Sequence, residues 1–447
     1  MTDRAEHDQS AQRQPAQHEP ARDAPAQHAP AQDQPVQADR PLSILLLASQ
    51  LPPVTSGVAR SVDRLRRGLE ERGHRVDAVS ALADRGLTFG EYRVHFIARR
   101  FARLARFVDG YDVVGLHGPS PFCSELFLAR IALARRRPAV VYTHHFQVMV
   151  EAAGRGRAVL GQAQVAVNTA QESLARVADA VVVTSPTYAD IMAHAGVPGA
   201  HVIPWGVDVV DPIDDDAPGD GDDHPDHADV RRSDVGHHRP LRVLFVGQMR
   251  SYKGIPVLLD ALDGLDGVEA TLVGGGLEEA TYRDRAARLG LTNAVFTGRV
   301  PHDELLAAYR SHDVIVLPSV NELEAFGMVL LEGMSAGLVP VSTDLPGLGD
   351  VVGDTGRVVP RRDPVALRAA LASLAADPLE RRRLSAAARR RAATFTWERT
   401  IDGYEAVLSD AVGRRSIAGG APGPGAGRRR SGGHQTLRTS QQRTSLD

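Results

Sequence analysis

Cysteine, lysine and long apolar runs are all scarce in this chain of 447 residues. The one cysteine, Cys123, excludes a disulfide framework and a cysteine-based metal site, and it is typical of a reducing compartment. No apolar run approaches the roughly 18–20 residues that cross a bilayer, and the N-terminus has no apolar core that could act as a secretion signal. We therefore expect a cytoplasmic protein.

The shortage of lysine is the most informative of these features. The 52 basic side chains comprise one lysine, Lys253, and 51 arginines. A compact ammonium and a planar guanidinium are not interchangeable, so Lys253 is a candidate for a site that needs a point charge. The arginine clusters at 379–393 are interpreted as a solvated helix face, and we expect no nucleic-acid partner.

Composition divides the chain into two ordered parts and three low-complexity segments. Residues 1–41 are rich in Gln, Ala, Pro and His, residues 209–240 hold a run of Asp, His, Gly and Pro, and residues 414–447 are basic and Gly-rich. Such segments cannot bury a core, so we expect a disordered tail, an acidic flexible linker and a disordered basic tail. The ordered parts are an N-terminal domain at 42–208, a C-terminal domain at 241–395 and a final crossing helix at 396–413.

Both ordered parts alternate short apolar runs with helical patterns, which predicts two doubly wound, Rossmann-like α/β domains. Ligands of such sheets lie outside the carboxyl ends of the strands. Gly57 follows the first strand and allows a ligand to approach the backbone closely. His117 and His144 each stand at the end of a strand, where a crevice position and a core position both remain open.

The stretch 318–347 is the segment around which the C-terminal part is organised. A buried strand leads into a loop with Glu324, and a helix then starts at Gly327 and carries Glu332. At about 100° per residue the two glutamates do not share a helical face, so we expect them to touch different parts of one ligand. The free N–H groups at the helix start suit a phosphate. Solvated glutamates are the alternative, although Glu332 stands among apolar residues.

The segment Glu324-Ala-Phe326-Gly327-Met-Val-Leu-Leu-Glu332 resembles the E-x-F-G-x-x-x-x-E signature of the retaining glycosyltransferases of family 4, which have the GT-B fold. The resemblance covers residues 42–410 in the expected order, and it implies that the two domains face a central cleft. It implies a hexosyltransferase that moves a sugar, with retention, from a nucleoside-diphosphate sugar to a saccharide, lipid or small-metabolite acceptor in polysaccharide or glycoconjugate biosynthesis. It implies no metal, no cofactor and no dedicated nucleophile.

The resemblance also assigns roles to individual residues. Lys253 is implied to hold the donor diphosphate, Glu324 to orient the sugar near its anomeric carbon, and His144 to lie near the donor sugar; these are the catalytic candidates. Glu332 is implied to bind the ribose hydroxyls. The other donor-site candidates are Gly57, Gly247, Gln248, Arg250, Val300, Phe326 and Gly327.

The diphosphate loop departs from the family pattern. The family reads G-R-x-x-x-x-K-G, whereas this chain reads Gly247-Gln248-Met-Arg250-Ser-Tyr-Lys253-Gly254, with Gln248 in place of the arginine. Either Arg250 supplies the missing charge or the diphosphate is bound more weakly.

Three other functions remain open at this stage. They are a non-catalytic nucleotide-sugar-binding module, a related sugar-phosphate synthase or phosphorylase with the same fold, and a nicotinamide oxidoreductase, for which neither domain has the glycine fingerprint. The sequence does not reveal the donor sugar, the base, the acceptor or the oligomeric state. The basic amphipathic pattern at 98–108 suits either the inner face of the cell membrane or packing on the sheet, so peripheral membrane contact stays open as well.

Overall fold

The structure of the chain is a computed structural model that describes residues 40–48, 51, 56–80, 86–89, 92–95, 108–118, 137–145, 157–210, 239–324 and 326–418. Several expectations lie outside these described residues. They are the tails before residue 40 and after residue 418, the linker residues 211–238 and the amphipathic pattern at 98–107.

The described part of the N-terminal half is a parallel sheet with flanking helices and one antiparallel hairpin. Its strands are β1 (Ser43–Ala48), β2 (Arg75–Ser80), β3 (Gly86–Phe89), β4 (Tyr92–His95), β5 (Val113–Gly118), β6 (Ala139–His144), β7 (Ala180–Val183) and β8 (His201–Val202). Its helices are α1 (Gly57–Glu71), α2 (Arg157–Val177) and α3 (Pro186–His194). The central strands β5, β6 and β7 are buried throughout, as expected for parallel strands covered on both faces. The pairing of β3 with β4 was not predicted.

The C-terminal half is likewise a parallel sheet with flanking helices. Its strands are β9 (Leu241–Val246), β10 (Val268–Val273), β11 (Ala294–Gly298), β12 (Val314–Leu317), β13 (Val339–Thr343) and β14 (Arg357–Val359). Its helices are α4 (Ile255–Leu262), α5 (Glu279–Arg288), α6 (His302–Ser311), α7 (Met328–Ala336), α8 (Leu348–Val352), α9 (Pro364–Ala376), α10 (Pro378–Ala392) and α11 (Trp397–Ala418).

The two sheets have the strand orders β2-β1-β5-β6-β7-β8 and β11-β10-β9-β12-β13-β14, and every pairing within them is parallel. In each sheet the order reverses beside the first strand, between β1 and β5 and between β9 and β12. The predicted fold of two doubly wound α/β domains is confirmed. A reversal of this kind leaves a crevice at the carboxyl ends of the strands, which is where ligands of such sheets bind.

The two domains are joined where the chain crosses between them. The amide of Val207 donates to the carbonyl of Phe395 over 3.0 Å. A Cβ at Gly206 would lie 2.3 Å from the amide nitrogen of Trp397, so only glycine fits this crossing. Helix α11 then returns to the first domain, where Arg415 donates to Asp179 over 2.6 Å. This contact lies beyond residue 413, and the helix continues past that expected end.

A buried aromatic stack lies at the same junction. The rings of His117, His145, Trp205 and Tyr404 stack with centroid separations between 5.4 and 6.3 Å. His117 Nδ1 and His145 Nε2 lie 3.2 Å apart. Burial lowers the pKa of His117 to about 3, and burial together with the neighbouring histidines lowers that of His145. His117 therefore occupies a core position at the junction, which settles one of the two alternatives left open by the sequence.

These neutral histidines predict a loss of stability in acid. Their pKa values are depressed in the folded state, so the unfolded chain binds more protons once the pH falls below the ordinary histidine value of about 6.5. The free energy of unfolding, measured in urea between pH 7.5 and pH 5, is expected to fall by up to about 1.4 kcal/mol per pH unit for each such histidine.

The variant His117→Phe keeps a ring in the stack but removes one titrating group. Its free energy of unfolding is expected to fall less steeply with pH than that of the unaltered chain. Equal slopes in the two proteins would contradict a neutral, buried His117.

Candidate active site

Two loops meet at the crevice of the second sheet, one after β9 and one after β12. The amide of Val320 donates to the carbonyl of Tyr252 over 2.8 Å. Gly254 has a φ of +67°, and a Cβ there would lie 1.8 Å from the carbonyl oxygen of Pro318. Only glycine allows this close approach, so Gly254 fixes the distance between the two loops.

This contact places the one lysine of the chain against a catalytic candidate from the other loop. The Lys253 ammonium donates to Glu324 Oε2, and both residues are 9% exposed. Ser319 Oγ donates to the same oxygen over 3.3 Å. Burial alone would lower the pKa of Lys253, but the attraction of Glu324 outweighs it and the pKa is raised. The crevice therefore holds a charged ammonium at neutral pH, compensated by one carboxylate.

The loop that carries Lys253 rests on the glycine run after β10. A Cβ at Gly274 would lie 1.9 Å from the carbonyl oxygen of Gly247, and the amide of Met249 donates to the carbonyl of Gly275 over 3.0 Å. The side chain of Arg250 makes no hydrogen bond or ion pair within the described part of the chain, which leaves its charge available to an anion. The Gly247 Cα lies beside the Lys253 side chain, since a Cβ there would be 3.8 Å from Nζ.

Helix α7 begins and ends at the predicted glycines. Gly327 caps it with a φ of +75°, and Gly337 closes it with a φ of +93°. Glu332, in the middle of this helix, is held at both oxygens: Tyr309 donates to Oε2 over 2.6 Å, and Arg60 lies 3.4 Å from Oε1. Because Arg60 belongs to α1, this ion pair spans the cleft between the two domains.

The first domain presents its own strand ends to the cleft. Ser56 caps α1, and a Cβ at Gly57 would lie 4.0 Å from Cγ of Met328, so the N-termini of α1 and α7 lie close together. The amide of Thr187, at the start of α3, donates to Asp350 over 3.0 Å. His144, at the end of β6, is 3% exposed, and burial lowers its pKa to about 4. The imidazole is therefore neutral at neutral pH.

The structure brings most of the predicted residues to this cleft. Phe326 differs, because its ring is buried edge-to-face against Phe395 with centroids 6.2 Å apart, and its place in the donor site stays a prediction. Val300 lies two residues beyond β11, at the carboxyl edge of the sheet. Within the ranges that the structure describes, no three or more His, Cys, Asp or Glu side chains form a group that could hold a metal ion. None of the helices described is long and apolar enough to cross a membrane.

Two family models match the chain. The model for glycosyl transferases group 1 matches residues 229–391, and the model for glycosyltransferase family 4 matches residues 55–211. The chain belongs to the GT-B glycosyltransferases of family 4. The two matches together take in both sheets and the crevice loops described above.

Curated relatives of this glycosyltransferase act on several sugars. A D-rhamnosyltransferase from Pseudomonas aeruginosa is 33% identical over 271 residues, which are 58% of this chain and 63% of that protein. The O-antigen chain mannosyltransferase C from Escherichia coli is 27% identical over 381 residues, 79% of this chain and 94% of that protein. A D-inositol 3-phosphate glycosyltransferase from Corynebacterium glutamicum is 32% identical over 190 residues, 40% of this chain and 45% of that protein.

Solved structures support the fold of this glycosyltransferase. Sucrose-phosphate synthase from Thermosynechococcus elongatus matches with a TM-score of 0.63 and 22% identity, covering 85% of this chain and all of that chain. HepE from Anabaena, solved in complex with UDP, matches with a TM-score of 0.60 and 17% identity, covering 84% of this chain and all of that chain.

Four residues near the cleft escaped the sequence analysis. Arg60 and Tyr309 hold Glu332, Tyr188 lies beside His144, and Glu322 follows β12. Arg60 follows Gly57 by one helical turn, which is the only local signal for any of the four. The others stand in patterns that fit ordinary packing or solvent exposure.

The contact between Gly254 and Pro318 can be tested by comparing alanine substitutions at Gly254 and at a second glycine with the same backbone conformation. Gly254 and Gly264 have φ values of +67° and +66°, but a Cβ at Gly264 would meet nothing within 4 Å. Gly264→Ala is therefore expected to lower the free energy of unfolding only by what an alanine in the left-handed region costs, about 1–2 kcal/mol. Gly254→Ala should lower the free energy of unfolding by clearly more than Gly264→Ala does, because its new side chain would also force the two crevice loops apart.

Urea unfolding of the two variants measures this difference in the free energy of unfolding. Equal losses would show that the contact with the Pro318 carbonyl does not hold the loops together.

Proposed function

We propose that this protein transfers a hexose, with retention of anomeric configuration, from a nucleoside-diphosphate sugar to a saccharide acceptor. The observation that carries the proposal is the buried Lys253 ammonium at the crevice where the strand order of the second sheet reverses. An ammonium has three N–H donors, and among the described residues Glu324 is its one hydrogen-bonded acceptor, so donors remain for the oxygens of a diphosphate.

The leaving diphosphate would be stabilised by positive charge that is in place before the reaction. Lys253 supplies a point charge, and the start of α7 supplies free N–H groups and the positive end of a helix dipole. Arg250 adds the charge that Gln248 does not carry. Preorganised groups of this kind are usually the largest single contribution to catalysis, because they need not reorient as charge develops on the leaving group.

Glu332 would bind the ribose of the nucleotide. A carboxylate accepts hydrogen bonds from two vicinal hydroxyls, and Tyr309 already holds one of its oxygens. The other oxygen is paired with Arg60, whose side chain is 59% exposed. The Glu332 side chain is only 16% exposed. Because the Arg60 guanidinium lies mostly in solvent, it can stay hydrated when a ribose takes its place on the carboxylate.

Bond making and bond breaking would take place on one face of the sugar. The bond between the anomeric carbon and the phosphate oxygen breaks, the acceptor oxygen attacks from the same face, and the acceptor proton passes to the leaving phosphate. Glu324 would orient the sugar once the diphosphate shares its lysine, and neutral His144 would offer a hydrogen bond from the first domain.

The relatives support a saccharide acceptor over the lipid and small-metabolite alternatives. One alignment, which covers 79% of this chain and 94% of the relative, is with a mannosyltransferase named for the O-antigen chain. The D-inositol 3-phosphate glycosyltransferase, named for a small-metabolite acceptor, aligns over 45% of its length. UDP in the HepE complex supports a nucleoside diphosphate as the leaving group.

Calorimetry with UDP, GDP and ADP tests the donor site. We expect one of the three to bind, and the variant Glu332→Ala to bind it at least about tenfold more weakly, because two hydrogen bonds to a carboxylate are lost. Glu380→Gln, which alters a glutamate of α10 that is paired with Arg357 and Arg383, is the control and should bind nucleotide as the unaltered chain does. If none of the three nucleotides binds, the proposal is wrong at its first step, and Gln248 has disabled the site.

Substitution of Lys253 tests its catalytic role. Lys253→Ala is expected to lower turnover, measured as release of the nucleoside diphosphate with an acceptor, by at least about 100-fold. Lys253→Arg should also be impaired, because a planar guanidinium does not replace an ammonium packed against Gly247.

Circular dichroism establishes that these variants are folded. Lys253→Ala leaves the Glu324 carboxylate buried without its partner. If that variant is unstable, the double variant Lys253→Ala with Glu324→Gln removes this charge. A folded Lys253→Ala protein with a near-normal rate would exclude the phosphate role.

A further inference from the structure

The carboxylate of Glu332 has a protein partner at each of its oxygens, and the two partners come from different domains. Tyr309, in α6 of the second domain, donates to Oε2 over 2.6 Å. Arg60, in α1 of the first domain, places Nη2 at 3.4 Å from Oε1. A ribose that binds at Glu332 therefore meets a carboxylate that the protein already pairs at both oxygens.

The position of Arg60 follows from the way α1 lies beside α7. A Cβ at Gly57, the first residue of α1, would lie 4.0 Å from Cγ of Met328, the first residue of α7. Arg60 and Glu332 stand about one helical turn further along their helices. Ser56 fixes the start of α1, because its hydroxyl accepts from the amide of Ala59 over 3.1 Å. The approach of the two helices therefore sets the distance between Arg60 and Glu332.

The two partners of Glu332 differ in how readily they can leave it. Tyr309 is buried, and burial together with the charge of Glu332 raises the pKa of its hydroxyl, which therefore stays protonated and keeps donating. Arg60 lies mostly in solvent, and its 3.4 Å approach is longer than the roughly 2.7–2.9 Å of a strong hydrogen bond between a guanidinium and a carboxylate. A guanidinium that leaves is hydrated, whereas a buried hydroxyl would lose its partner. Arg60 is therefore the exchangeable one.

Arg60 also stands on the side from which a ribose enters. It reaches Glu332 across the cleft, whereas Tyr309 approaches from within the second domain. A hydroxyl donates to a carboxylate over about 2.5–2.7 Å, so a ribose oxygen that approaches Oε1 from the cleft needs space beside the guanidinium. Displacement of Arg60 and shared acceptance by Oε1 predict opposite effects of removing Arg60, so binding measurements separate them.

We propose that Arg60 regulates the nucleotide site as an internal competitor: it occupies Glu332 when no nucleotide is bound, lowers the affinity for the nucleotide and speeds its release. The inference rests on the proposed function, in which Glu332 binds the ribose, and adds the regulation of that site. A contact that must break before a ligand binds lowers the apparent affinity by the free energy of that contact. Because release of the product limits many transferases that enclose their substrates, a competitor that returns to Glu332 favours turnover.

Calorimetry with the nucleoside diphosphate that binds among UDP, GDP and ADP tests the competition. Arg60→Gln is expected to bind this diphosphate about twofold to fivefold more tightly than the unaltered chain, the effect of an ion pair between partly exposed groups. The matched control is Arg67→Gln, which removes the same charge from α1. Arg67 is similarly exposed but pairs within the helix, with Asp63 over 3.0 Å, so this variant should bind as the unaltered chain does.

Salt provides a second test of the same contact. The gain in affinity of Arg60→Gln over the unaltered chain should shrink when the salt concentration rises from about 0.05 M to about 0.5 M, because salt screens the ion pair that the variant lacks. The comparison is a ratio of two dissociation constants at each salt concentration. Screening of the diphosphate itself affects both proteins and cancels in the ratio.

The rate of release and a double variant show whether Arg60 acts through Glu332. Stopped-flow displacement of a fluorescent nucleoside diphosphate should give a dissociation rate constant that is lower in Arg60→Gln by about the same factor as its dissociation constant. In the background of Glu332→Gln, the further change Arg60→Gln should leave the affinity unaltered, because the two side chains then share no ion pair.

Two results would overturn the inference while leaving the proposed function standing. Weaker binding by Arg60→Gln than by Arg67→Gln would mean that Arg60 supports the nucleotide, and equal binding by the two variants would mean that the contact with Glu332 has no effect on the ligand. If the unaltered chain binds none of the three diphosphates, the proposed function itself fails and this inference fails with it.

Discussion

The organisation of the cleft depends on the close approach of Gly254 to the carbonyl of Pro318. That contact brings together two loops from neighbouring strands and buries an ammonium against a carboxylate. A buried ion pair is weak evidence for stability, because desolvation offsets the attraction, but removal of one partner leaves an uncompensated charge. We therefore interpret the Lys253–Glu324 pair as a group that binds a polyanionic ligand, and not as one that stabilises the fold.

The two domains are connected by contacts of two different kinds. At the junction, stacked rings and tight backbone packing bury His117, Trp205 and Tyr404, and Gly206 admits no side chain. Across the mouth of the cleft the described residues also make polar contacts, such as Arg60 with Glu332 and Thr187 with Asp350. Apolar burial at the junction is independent of any ligand, whereas the polar contacts at the mouth use groups that a ligand can also bind. Stability and ligand exchange are thus assigned to different parts of one interface.

Much of the fold could be predicted from the sequence because its signals are local. Apolar runs such as 241–246 and 314–317 coincide with strands, and Gly327 and Gly337 bound α7 as expected, since each adopts a positive φ. For the candidate site, the motifs indicate Lys253, Glu324 and Glu332, which the structure places at the cleft and whose roles stay predictions. Arg60, Tyr188 and Glu322 were missed because their positions matter only once the two domains face each other. The periodicity of a single segment does not show contacts with a distant part of the chain. The position of His117 was left open for the same reason, since its partners Trp205 and Tyr404 are distant in sequence.

The rarity of lysine has a practical consequence. In a chain whose other basic side chains are all arginines, the crevice contains the only side-chain amine. A reagent that acylates amines therefore has one internal target, and that target is shielded by its carboxylate partner and by burial. The rate at which the Lys253 amine is acylated therefore reports how often the crevice opens and whether a ligand occupies it, and no engineered probe is needed. The single lysine is thus a selective chemical handle on the group that is expected to meet the substrate.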